Sequence, residues 1–192
     1  MNRFIFFICL MSFSSFGFTQ PKYEKEMRIK EKEVPENVIS FVDSMKLPEK
    51  IKWYKEIGNN KTSFEAKTRY EAKRLSIEFS ETGTFEDFEI EINPEDILPV
   101  DNKTISDYLL NAHSKYLIEK VQLQYSGEPN LILNFFLNPA PESINGLIIH
   151  YEVVISTKED SAYAMYEYLF DENGAFVKKS QIKIKTTDNI EY

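Results

Sequence analysis

Glu78-Phe79-Ser80-Glu81-Thr82-Gly83-Thr84-Phe85 and Leu169-Phe170-Asp171-Glu172-Asn173-Gly174-Ala175-Phe176 carry one pattern twice. Each reads as the end of a strand, an acidic turn containing glycine, and a new strand that starts at phenylalanine. Gly83 and Gly174 sit where a tight hairpin needs a positive φ, which glycine adopts without steric cost. The likeness extends upstream. Phe64-Glu65-Ala66 matches Tyr151-Glu152-Val153, and Lys50 to Gly58 matches Lys120 to Gly127. An internal repeat of this length means that one supersecondary unit is written twice.

Each copy opens on a helical pattern. In the first, Pro35 suits a first helical turn. Val38, Phe41, Val42 and Met45 then form an apolar stripe, and Pro48 ends it. In the second, Asp101 or Asn102 can cap, and Ile105, Leu109, Ala112 and Tyr116 recur at helical steps. The sequence therefore predicts an α+β fold: two tandem units, 20–98 and 99–192, each one helix packed on a three- to four-stranded antiparallel sheet. A small sheet needs such an apolar layer against one face. Ahead of the first helix, residues 21–34 alternate Lys and Glu around Tyr23, Met27 and Ile29. They read as a charged tail or as an edge strand, and the strand is preferred, with its charges deterring further pairing.

Strand alternation assigns the faces. Leu75, Ile77 and Phe79 point to the core, and Ser76 and Glu78 point away. The repeat maps Phe79 onto Phe170, so Tyr166, Tyr168 and Phe170 are core. The opposite face of that strand carries Met165, Glu167 and Leu169, with Tyr163 further out. An apolar outer face needs a cover. Tyr163, Met165 and Leu169 are therefore candidate partner-binding residues. Tyr54 joins them, because it faces away from its neighbour Trp53, which is expected in the core. An insertion near 128–144 offers an internal cover. Its Leu131-Ile132-Leu133-Asn134-Phe135-Phe136-Leu137 run can add a strand, and Pro139 and Pro141 make the rest a loop. It either shields the second sheet or joins a partner surface, and shielding is favoured.

Residues 1–19 have the order of a secretory signal peptide: Arg3, an apolar run from Phe4 to Met11, then small residues before Gln20. The run is too short for a span, which needs about 20 apolar residues. Cys9, the single cysteine, lies inside the run and not at its end, so the pattern is not that of a lipoprotein. The expected mature chain has no disulfide and no membrane span, and its expected location is periplasmic or secreted.

The 192 residues carry 31 acids against 23 bases, a net charge of −8, which argues against nucleic acid as a partner. Two histidines, His113 and His150, are too few for zinc, and no Gly-x-Ser-x-Gly or phosphate-cradling glycine loop occurs. No catalytic residue, metal ligand or cofactor is assigned. Between Leu75 and Asn102 there are nine acids and no Lys or Arg. They lack the spacing of a calcium loop, and Asp87, Glu89 and Glu91 alternate as a solvated strand face does. The matching strand of the second copy is basic, with Lys178, Lys179, Lys183 and Lys185; the opposite charges either guide how the units, or two molecules, meet or are ordinary surface charge, and the latter is preferred.

Taken in order, Glu26 to Ile29, Val34-Pro35-x-x-Val38, Ile51-Lys52-Trp53-Tyr54-Lys55-Glu56, Phe64-Glu65-Ala66-Lys67 and the Glu78-Phe79 hairpin with Gly83 resemble the PepSY-like proteins of the bacterial envelope. The tandem form is also similar to the beta-lactamase inhibitor architecture. The resemblance implies an exported protein with an inhibitory or regulatory role toward a protein such as a peptidase, and it carries no catalytic residue onto this chain. The functional expectation is a non-enzymatic binding module with an unidentified protein partner. The alternative is a periplasmic carrier of a small ligand or metal ion.

Overall fold

Asp87 to Ile92 pair residue for residue with Ser126 to Val121, across the boundary at which the sequence predicts one unit ending and another beginning. In the structure, a computed structural model that describes residues 24–58, 61–138, 144–159 and 162–182, this pairing fuses all strands into one sheet. The elements are β1 (Glu24–Ile29), α1 (Glu36–Ser44), β2 (Lys52–Gly58), β3 (Thr62–Tyr70), β4 (Lys73–Ser80), β5 (Phe85–Ile92), α2 (Pro99–Ala112), β6 (Tyr116–Ser126), α3 (Pro129–Leu137), β7 (Ile148–Glu159), β8 (Ala162–Asp171) and β9 (Phe176–Ile182). The nine strands follow chain order from β1 to β9, and every neighbouring pair is antiparallel.

The expectation of two units, each one helix on its own small sheet, is thereby overturned. An unpaired edge at β5 would expose a row of N–H and C=O groups, and pairing with β6 satisfies them. The internal repeat is local in sequence and contains no sign of that non-local pairing.

Alternation along the strands sorts the side chains cleanly. Trp53, Phe64, Ile77, Phe79 and Phe88 are buried with Val38 and Val42 of α1. Val121, Val153, Ile155, Tyr168 and Phe170 are buried with Ile105 and Leu109 of α2. The register runs Leu75–Ile90–Leu123–Tyr151–Phe170 across five strands, so both clusters lie on one side of the sheet. The core residues expected from alternation, Leu75, Ile77, Phe79, Tyr166, Tyr168 and Phe170, are all buried. Residues 24–29 form the expected edge strand against β2.

Both hairpins have the expected glycine geometry, with φ of 78° at Gly83 and 76° at Gly174. The helices reach across to these turns. Asn37 donates to the Gly83 carbonyl at 2.9 Å, and a Cβ on Gly174 would lie 2.7 Å from the Asp101 carbonyl oxygen.

Three local expectations are corrected. The helix α2 starts at Pro99, not at an Asp101 or Asn102 cap, because proline's fixed φ suits the first helical position. Asp101 is buried within the helix and accepts a hydrogen bond from Tyr151 Oη at 3.1 Å. Tyr116 belongs to β6 and not to the helix. The apolar part of the insertion is the helix α3, not a strand, with Pro129 in its first turn.

The position of α3 also differs from expectation. Its Ile132 is fully buried in the first cluster, with Leu133, Phe135 and Phe136 packed around it. Phe136 contacts Tyr70 and Phe88, and Phe135 contacts Tyr125. The insertion helix therefore fills the core side over β3 to β6 and does not shield the outer face of β8. Pro139 and Pro141 lie outside the described residues, as do the expected leader 1–19 and Lys183 and Lys185.

Candidate functional site

With α1, α2 and α3 all on one side, the other face of the sheet carries no described helix. Its side chains form an open trough of about 680 Å³. Cross-strand pairing sets them in rows. One row runs Arg28, Tyr54, Glu65, Glu78 and Asp87 across β1 to β5. A second runs Glu91, Gln122, Glu152, Leu169 and Lys178 across β5 to β9. Near the far end, Ser156, Met165 and Ile182 make a third, with Leu117 opposite Ser156.

This face is not the solvated surface that alternation suggested. Glu65, Glu89 and Glu152 are only 4–6% exposed. Burying a carboxylate is costly unless it is paired or hydrogen-bonded, and two of the three have a lysine. Lys67 Nζ lies 3.0 Å from Glu65 and 2.7 Å from Glu26. Lys120 Nζ lies 3.2 Å from Glu152. Burial raises the Glu65 carboxyl above its ordinary range, and the Lys67 ammonium opposes this. Burial works against the charge of Lys67 in turn, but the Glu65 and Glu26 carboxylates outweigh it and hold that ammonium above its ordinary range.

Glu89 accepts from Gln124 Nε2 at 3.2 Å and from Ser76 Oγ at 3.5 Å. Burial pushes it well above the usual carboxylate range, and the nearby acids Glu152 and Asp87 add to the shift. Glu78 is displaced the same way, by burial and then by Asp87 and Glu89. Glu78, Asp87 and Glu89 bring carboxylate oxygens within 4.8 Å of one another, and so do Glu26, Glu56 and Glu65. Such groups can hold a cation, and sequence spacing did not show them because the ligand atoms come from neighbouring strands.

The four sequence-nominated residues share this face but do not form one cluster. Tyr54 lies half-buried in the acidic half, 5.1 Å from Lys67 Nζ over its ring. Met165 and Leu169 are half-buried at the opposite end, and Tyr163 beyond them is 83% exposed. Trp53, on the core side, is buried as expected. Of the basic strand, Lys178 lies on the helix-free face beside Leu169, whereas Lys179 crosses to the helix side and lies 3.8 Å over the Tyr166 ring.

Sequence reasoning passed over Glu65 and Glu152 although both were inside the repeated triplets. The available signal was an acid centred between two core residues in both copies. His113 is also placed structurally: it caps α2, is buried, and its Nε2 lies 2.6 Å from Tyr168 Oη.

No family model matches the chain, so the PepSY resemblance is met by no family assignment, and no curated protein matches it. Among solved structures the chain is similar to a DUF2874 family protein of Bacteroides ovatus, at 13% identity and a TM-score of 0.48 over 77% of this chain and 86% of the other. It is similar to a BLIP-like protein of Bacteroides fragilis at 10% identity and a TM-score of 0.46, covering 81% and 92% of the two chains. A DUF2874 family protein of Bacteroides uniformis gives 11% identity and a TM-score of 0.48, over 77% and 89%. At these identities and scores the function has to be argued from the sheet face itself.

Proposed function

We propose that this chain is an exported, non-enzymatic binding module that docks a protein partner on the helix-free face of its sheet. The observation that carries this reading is the composition of that face. Beside an open trough of charged groups the same face carries Leu117 and Met165 around Ser156 and, beyond Glu167, Leu169 between Glu152 and Lys178, with Tyr163 standing clear of the surface. Interfaces combine an apolar, often aromatic anchor with polar surroundings, and both lie here on one rigid sheet. Export is supported by the leader-like order of residues 1–19, and a peptidase is the partner class that the family resemblance favours.

The test is affinity capture from an envelope fraction, using the wild-type chain and two variants. Leu169→Asp alters the sheet face, and Leu110→Asp alters an exposed position on α2, where Leu110 is 61% exposed. A partner held by wild type and Leu110→Asp but lost by Leu169→Asp supports the reading. Loss by Leu110→Asp alone contradicts it. Any partner recovered is then assayed for peptidase activity with and without the chain.

The carboxylate groups of β1 to β5 favour a second reading, a periplasmic ion carrier. Calorimetric titration with calcium decides it: heat that disappears in Glu78→Gln supports the carrier, and no heat removes it.

A further inference from the structure

Lys50, Lys52 and Arg69 line one end of the trough, and among the described residues none of the three lies in an ion pair. The chain has 31 acids against 23 bases, so cations gathered without a carboxylate call for a reason. The register sets them together. Lys52 pairs directly with Lys67, and Arg69 with Arg74. Like charges at directly opposed positions destabilise a sheet. Lys67 is compensated by Glu65 and Glu26, and Arg74 by Glu91 at 3.5 Å, which leaves Lys52 and Arg69 over. Lys50 joins them because Thr68 Oγ1 donates to its carbonyl oxygen at 3.3 Å, holding the approach to β2 against β3.

A second observation concerns the turn that joins β3 to β4. Its two residues, Glu71 and Ala72, have φ of 49° and 64°. That left-handed geometry suits Asn-Gly and strains residues with a Cβ and no asparagine-like side chain. The turn sets Tyr70 opposite Lys73 and, one pair further in, Arg69 opposite Arg74. A strained turn thus holds a like-charge pair in register. Local rules broken together at one hairpin, with no structural gain, are expected at functional positions.

We infer that Lys50, Lys52 and Arg69, with Arg74 beside them, receive a short run of Asp or Glu side chains presented by a loop of the partner protein. The inference rests on the docking reading above and names the chemistry of that partner. A guanidinium pairs with a carboxylate bidentately, and the lysines add point charges around it. The acids of the face limit what can bind. Arg69 stands four residues along β3 from Glu65, and Arg74 four along β4 from Glu78, a separation of about 13 Å. Glu91 and Glu152 lie across β5 to β7, and Glu49 stands exposed on the rim. A long polyanion, such as nucleic acid or an anionic membrane, would run onto these carboxylates and be repelled. A few carboxylates on one loop reach the cations without reaching the acids.

The experiment measures binding of a fluorescein-labelled hexaglutamate peptide to the full chain by anisotropy, at low ionic strength, where exposed charges are least screened. Two variants remove the same charge at different places. Lys52→Gln/Arg69→Gln neutralises the end of the trough, and Lys32→Gln/Lys115→Gln removes two exposed cations that do not line it. Far-ultraviolet circular dichroism confirms that each variant folds. The trough variant is expected to weaken binding about three- to tenfold, the loss of two exposed charge pairs, and the control variant to change it little. Equal weakening by both variants, or no saturable binding to the wild type, overturns the inference. Wild-type binding to phosphatidylglycerol vesicles that is lost in the trough variant overturns it in favour of a membrane surface. Every variant keeps Leu169, and the docking face is decided by the Leu169→Asp capture, so either reading can fail while the other stands.

Discussion

Gln124 Nε2 donates to Glu89 Oε1 at 3.2 Å, and this bond crosses from β6 to β5 at the seam between the two halves of the chain. It lies beside the Glu89–Gln124 backbone pairing that makes the sheet continuous. Replacing Gln124 by Leu removes a donor from a buried acid. Leaving a buried acceptor short of a donor costs about 1–3 kcal/mol. Urea denaturation of Gln124→Leu should show a loss of that size, with one cooperative transition as in the wild type. Two separate transitions would mean that the halves unfold independently.

The displaced carboxyls give stability a definite pH dependence. Glu78 and Glu89 are raised well above the ordinary value of 4.5, so the folded chain binds protons more tightly than the unfolded chain. Their contribution is fully present below the ordinary carboxylate range and is lost as pH rises through the displaced range. The melting temperature should therefore rise as pH falls through the displaced range toward the ordinary carboxylate range. Glu78→Gln/Glu89→Gln should flatten this slope and raise the melting temperature at neutral pH. A slope that is unchanged in the variant would show that other groups carry it.

Ile132 is fully buried between α3 and the sheet. Ile132→Ala should cost about 2–5 kcal/mol, the range for truncating a buried isoleucine. A cost near zero in chemical denaturation would mean that the insertion helix is not part of the core.

The 2.6 Å contact between His113 and Tyr168 Oη has a similar consequence. Tyr168→Phe keeps the ring and removes the hydroxyl, and should cost about 1 kcal/mol. Partner capture should not change, because both residues lie on the helix side. Loss of capture in a fully folded Tyr168→Phe chain would place function on the wrong face.

Much of this architecture was legible where the signal is local. The alternation of Leu75, Ile77 and Phe79 fixed one face, and the paired turn glycines fixed two hairpins. The helix α3 was not legible, since a short continuous apolar run fits a buried strand or a buried helix equally by periodicity. Pro129 in its first turn was the one clue. The union of β5 with β6 is a non-local pairing that no repeat records. The placing of Tyr54, Tyr163, Met165 and Leu169 on the helix-free face was legible from strand alternation, Tyr54 as the neighbour that faces away from Trp53 and the other three as the side of β8 opposite Tyr166, Tyr168 and Phe170. Glu65 and Glu152 were missed, and Glu89 was read as solvated, because an acid at an outward strand position looks ordinary until neighbouring strands close around it.

The central claim is that partners dock on the helix-free face. Site-specific photo-crosslinking in the producing cell tests it most directly, with the reactive residue placed at Leu169 on the sheet or at Leu110 on α2. The account predicts a discrete protein adduct from position 169 and none from position 110. An adduct from position 110 alone, or none from either, would contradict it.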